Sequence, residues 1–141
     1  MATIKNFEFP DDLYYTRDHV WAKVEGNSVT IGLTQFGQDV AGDILYVEAP
    51  AIGREVAKDE AFMSMESGKW VGRVKSPVSG KVLESNDELE WESDLVNSDP
   101  YGAGWLTKLE ASDLKELDLL LKSDTDEFST FIAEEAEKYN K

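Results

Sequence analysis

The sequence predicts a mainly β domain with helices at its C-terminal end. Two observations carry that expectation. Short runs of alternating apolar and polar residues recur through most of the chain, each closed by Gly, Pro, Asn or Asp. Beyond Ser112 the period changes: Leu114, Leu117, Leu120 and Leu121 fall at helical spacing. One domain over 1–141 is expected, with its β part at about 13–110 and its helical part at about 112–138.

In chain order, Leu13-Tyr14-Tyr15 and Val20–Glu25 read as strands, and Gly26-Asn27 turns the chain into a third, Ser28–Leu33. Thr34 caps a short helix, Gln35–Val40, which Gly42 ends. Asp43–Glu48 reads as a strand, and Pro50 and Gly53 mark a loop. Ala61–Lys75 forms a hairpin about Ser67-Gly68, with Ala61, Met63 and Met65 on one face of its first arm, and Trp70 and Val74 on one face of its second. Ser76–Gly80 turns into a strand, Lys81–Ser85, followed by a helical turn over Asn86–Trp91. Ser98–Gly104 is dense in breakers and reads as a loop, Trp105–Leu109 as the last strand. Ser112 then caps the leucine helix, and a final helix runs from Thr125 to about Glu137 with Phe128, Phe131 and Ile132 on one face. Trp21 and Trp105 are expected in the core.

Charge narrows the function. The 141 residues carry a formal net charge of −15, from 29 acidic and 14 basic side chains. Nucleic-acid phosphates are disfavoured, and basic protein surfaces are favoured as partners. No apolar run reaches the roughly 18 residues of a membrane span, and Met1-Ala2-Thr3-Ile4-Lys5 shows no signal-peptide pattern, so a cytoplasmic location is expected. The chain has no cysteine, which excludes disulfides, thiolate metal sites and cysteine nucleophiles.

A stand-alone enzyme is not expected. His19 is the one histidine and has no Ser or Cys motif to complete a triad; beside Trp21 it reads as structural. Metalloprotease, phosphate-loop and dinucleotide fingerprints are absent, and Asp124, Asp126 and Glu127 suit the positive end of a helix better than a metal. Lys69 stands out instead. At a hairpin tip its four methylenes carry an amine clear of the sheet; the ordinary reading of such a lysine is a solubilising turn residue.

The chain resembles the H proteins of the glycine cleavage system. The residues that carry the resemblance are His19 and Trp21; Ile31-Gly32-Leu33-Thr34; Glu66-Ser67-Gly68-Lys69; Ser76-Pro77-Val78-Ser79-Gly80; Asn86; and Leu95 through Leu106. The resemblance implies a lipoyl-domain-like barrel-sandwich hybrid and a lipoic acid amide-linked to Lys69, with Glu66, Ser67, Gly68 and Trp70 forming its attachment turn. Biotin carriers flank their lysine with methionines; Gly68 and Trp70 here disfavour biotin. Acylation removes the lysine charge and lengthens the stem into a mobile arm ending in a dithiolane. Such a carrier supplies position and recognition while other proteins supply catalysis.

Four residues depart from the pattern, one of them Gly68, which stands where a valine usually precedes the lysine. Val20 replaces a usual glutamate beside the docked arm, Trp70 a usual alanine, and Arg73 a usual acid. His19, Val20 and Arg73 are the expected arm groove. Loss of negative charge favours an anionic sulfur cargo over a cationic amine, as in H-like lipoate-binding proteins of sulfur-oxidising heterodisulfide-reductase-like pathways. That reading is set against a true glycine cleavage carrier and against a non-lipoylated scaffold. Expected partners are a lipoate ligase or lipoyl synthesis enzymes. Beyond these stand either a heterodisulfide-reductase-like complex, or glycine decarboxylase, aminomethyltransferase and dihydrolipoamide dehydrogenase.

Overall fold

The computed structural model describes all residues, Met1–Lys141. The strands and helices are β1 (Ala2–Ile4), β2 (Phe7–Phe9), β3 (Tyr14–Tyr15), β4 (Val20–Glu25), β5 (Ser28–Leu33), α1 (Gln35–Ala41), β6 (Ile44–Glu48), β7 (Glu55–Val56) and β8 (Ala61–Ser67). They continue through β9 (Val71–Lys75), β10 (Gly80–Ser85), α2 (Leu95–Ser98), β11 (Thr107–Ala111), β12 (Leu121–Lys122) and α3 (Asp126–Lys138). A seven-stranded sheet runs β12-β3-β4-β5-β11-β10-β7, and a three-stranded sheet runs β6-β8-β9. The result is mainly β, an open-sheet barrel-sandwich closed at one side by the C-terminal helix.

Local chemistry accounts for most element ends. Gly26, at φ 64°, makes the turn between β4 and β5. The Thr34 hydroxyl accepts from Gly37 N and caps α1. Asn86 caps a 3₁₀ turn over Asp87–Glu90, and Thr125 caps α3.

Two cores exist where the strand pattern shows one. The larger lies between the sheets and contains Val20, Ala22, Ile31, Met63, Met65 and Val74. The smaller lies on the other side of β4, where Trp21, Tyr15 and Phe9 meet Phe128, Phe131 and Ile132 of α3. The first half of β4 is therefore buried on both faces, which is why Val20-Trp21-Ala22 shows no polar alternation. T-shaped contacts of Phe9 with Phe128, at 4.9 Å, and with Tyr15, at 5.8 Å, tie the second core together.

The structure corrects several expectations. Strand pairing begins before residue 13, in the β1–β2 hairpin, and ends after residue 110, where Leu121 pairs with Tyr15. The last strands are thus not at Trp105–Leu109: β11 starts at Thr107, and half-buried Trp105 lies outside it, beneath Lys108. Asp113, not Ser112, caps the leucine segment by accepting from Lys115 N. That segment is a 3₁₀ helix over Leu114–Leu119, leaving Leu120 and Leu121 outside. The three-residue step between Leu114, Leu117 and Leu120 suits a helix of three residues per turn.

Candidate functional site

The hairpin β8–β9 places Lys69. The register pairs Glu66 with Val71 and Met65 with Gly72, leaving Gly68, Lys69 and Trp70 as the loop. Met63, Met65 and Ser67 point inward and hold the first arm to the core. The loop is closed by Ser67 N donating to Trp70 O at 2.7 Å. Buried Ser67 does more. Its hydroxyl donates to Ala41 O at 2.7 Å and accepts from Lys69 N at 3.3 Å, so the tip is pinned to the end of α1.

The end of α1 is itself anchored. Asn97, in α2, donates to Gly42 O and to Gln38 Oε1, both at 2.9 Å, and accepts from Ile44 N at 2.9 Å. Gly42 has φ 86°, and a Cβ there would fall 2.6 Å from Lys69 Cε. The lysine stem leaves the turn alongside Gly42, whose positive φ itself favours glycine. Lys69 is exposed and makes no ion pair. Lys69 is thus reachable and unpaired, on a turn whose base is pinned by Ser67.

Beside the tip lies a groove of about 290 Å³. It gathers the three expected groove residues: His19, Val20 and Arg73 all line it, with Trp70. The Trp70 indole folds back over Gly72, where any Cβ would collide with it. Val20 is buried and forms floor rather than an exposed wall. Of the attachment-turn residues, Gly68 is exposed and Glu66 faces outward in a cross-strand row with Tyr46 and Val71, without an ion pair to Lys69.

The pattern of the sequence did not show Glu135. It reaches from α3 to His19, whose Nε2 lies 2.7 Å from Glu135 Oε1. His19 is wedged between Phe36 and Phe131, with ring centroids 4.8 and 5.4 Å away. Burial pushes its pKa below the ordinary imidazole value, against the opposing pull of Glu135 and Asp18. Asp18 and Glu135 both line the groove, so it is not stripped of carboxylates; Arg17, Arg73, Lys75 and Lys138 bring four cations.

The family described as Glycine cleavage H-protein matches residues 13–134. The chain belongs to the glycine cleavage H-protein family. The glycine cleavage system H protein of Staphylococcus haemolyticus is 48% identical over 115 residues, 82% of this chain and 91% of that one. That of Brevibacillus brevis is 46% identical over 127 residues, 90% and 99% of the two chains. The crystal structure of a glycine cleavage system H protein from Mycobacterium marinum superposes with a TM-score of 0.78 at 29% identity, covering 91% of this chain and 99% of that one. Glycine cleavage H proteins carry a lipoate covalently on a lysine and have no catalytic activity of their own. These relatives favour the glycine cleavage reading over the sulfur-carrier reading drawn from Val20, Trp70 and Arg73. No helix is long and apolar enough to cross a membrane.

Proposed function

We propose that the chain is a glycine cleavage carrier whose lipoyl arm is attached to Lys69. In this role it takes an aminomethyl group from glycine decarboxylase and delivers it to aminomethyltransferase. Dihydrolipoamide dehydrogenase restores the arm. The observation that carries the reading is the exposed Lys69 stem lying across Gly42, on a tip pinned by Ser67, beside the groove. When attached, lipoate supplies a disulfide that opens to two thiols, one of which holds cargo.

The residues of the chain supply position. Ser67 and Asn97 fix where the lysine stem starts. Val20 and Val74 give the groove an apolar floor, and Trp70 an aromatic wall suited to sulfur contact. Asp18 and Glu135 are the carboxylates to which a cationic amine is drawn. They stand in the groove where Val20 brings no carboxylate, against four cations in the same lining.

The four groove cations support one second reading, an anionic sulfur cargo. The test separates the readings in two steps. Incubation with a lipoate ligase, lipoate and ATP, followed by peptide mass mapping, should place one lipoyl group on Lys69 and none on Lys69→Ala. Modification elsewhere, or no modification at all, overturns the carrier assignment and leaves a scaffold. The lipoylated protein should then support glycine–bicarbonate exchange with glycine decarboxylase. Arg73→Asp should raise that exchange, because it removes a cation beside a cationic cargo. A wild type inert with its cognate decarboxylase, but reactive with an anionic sulfur donor, would support the sulfur reading.

A further inference from the structure

A second groove, of about 340 Å³, lies between β6 and the 3₁₀ turn Asp87–Glu90. Strand β6 is an edge strand, and its backbone from Leu45 to Glu48 makes no hydrogen bond outside its sheet. Leu45 and Tyr46 line the groove yet stand 64% and 57% exposed, and Trp91, just after the 3₁₀ turn, is 82% exposed. Glu48, Asp87 and Glu90 line the same groove, no lysine or arginine does, and none of the three is in an ion pair. Capping accounts for an acid at the start of the 3₁₀ turn. It does not account for Glu48, nor for large apolar side chains left in water.

We infer that this face docks a partner protein that presents an apolar side chain flanked by lysine or arginine. Aromatic anchors with an unpaired charged rim are the composition of recognition surfaces. The rim specifies the partner's sign: three uncompensated carboxylates attract a basic surface and repel an acidic one. Position supports a role in delivery of the arm. Tyr46 pairs directly with Glu66, three residues before Lys69, so a partner seated here lies beside the lysine turn. The inference rests on this surface and does not depend on which cargo the arm carries.

The test uses the full-length ¹⁵N-labelled protein and an amphipathic helical peptide of leucine and lysine, with a leucine–glutamate peptide as the control of opposite charge. Amide shifts should concentrate at 45–49 and 86–91 with the lysine peptide and be absent with the glutamate one. Affinity should fall about fivefold or more in Leu45→Ser/Tyr46→Ser, in Trp91→Ala, and in Glu48→Lys/Glu90→Lys. Trp91 is so exposed that its variant should keep the wild-type fold, which leaves a clean measurement if the β6 variant unfolds. Shifts spread evenly over the acidic surface, shifts centred on the Lys69 groove, or affinity unchanged in Glu48→Lys/Glu90→Lys would overturn the inference.

Discussion

Lys69 depends on what its neighbours leave free. At Gly42 a Cβ would meet the lysine stem, and the positive φ disfavours any other residue. Gly42→Ala should cost about 1 kcal/mol or more in chemical denaturation and should slow lipoylation of Lys69, read by mass spectrometry. Lys69→Ala should do the opposite: no attachment, with an unchanged denaturation midpoint, since the exposed turn side chain contributes little to stability. His19 makes stability depend on pH. Its pKa is lowered by burial in the folded state, so the unfolded chain binds the proton more readily. The stabilising effect of keeping this ring neutral is present above the ordinary imidazole pKa, near 6.5, and is lost as pH falls through the lower folded value. Glu135 and Asp18 oppose the shift and Lys138 assists it. The stability of the wild type should therefore fall more steeply below about pH 6.5 than that of His19→Asn, which tolerates the positive φ of 66°. Parallel pH profiles would show that the histidine is not held neutral.

Elements position the tip through two relays. Ser67 ties β8 to α1, and Asn97 ties α1 to α2 and β6. Asn97→Ala leaves Ile44 N and Gly42 O without these partners, a loss of about 1–3 kcal/mol. Hydrogen exchange should quicken around Ala41–Ile44 if the relay holds the turn. Strand β4 carries the other dependence. Trp21 is 2% exposed, donates to Pro100 O at 2.9 Å and lies where a Cβ on Gly32 would be 2.6 Å from its ring. Trp21→Ala should cost about 3–5 kcal/mol. Trp105→Ala should cost less, because that ring is only half-buried and rests against the rim of the second core. Equal denaturation midpoints for the two variants would show that they contribute alike.

Over the whole molecule, a net charge of −15 surrounds a groove whose ionic lining is mostly basic. Distant steering and local selection therefore act with different signs. Association with a basic partner should slow as salt rises, because exposed charges beyond a Debye length of about 10 Å are screened at 0.1 M. Preference among cargoes should weaken with salt as well, because Asp18 and Arg73, two of the charges that face the cargo, are exposed. Stopped-flow association and cargo-loading rates across a salt series measure the two separately. Val20 is buried as groove floor, so the carboxylate of Val20→Glu has to turn into the groove, at some cost in desolvation, to serve the cargo. Arg73, on the exposed side of β9, is the better place to alter cargo charge.

Features set by neighbours in sequence were legible from the sequence alone. The Ala61–Lys75 hairpin, the turn at Gly26, the Thr34 cap and the apolar face of α3 each follow from residues a few positions apart. The lysine at the tip and the motif around it were legible for the same reason. Tertiary contact decided the rest. Leu121 becomes a strand only by pairing with Tyr15, remote in sequence, and the three-residue alternation of Phe7–Phe9 is too short to stand without β1. Val20 and Trp21 are equally apolar, and only the packing of α3 assigns them to opposite cores. The groove brings together residues 116 positions apart, His19 and Glu135. Local propensity acts over one turn or one strand pair, whereas a groove exists only where remote surfaces are brought together.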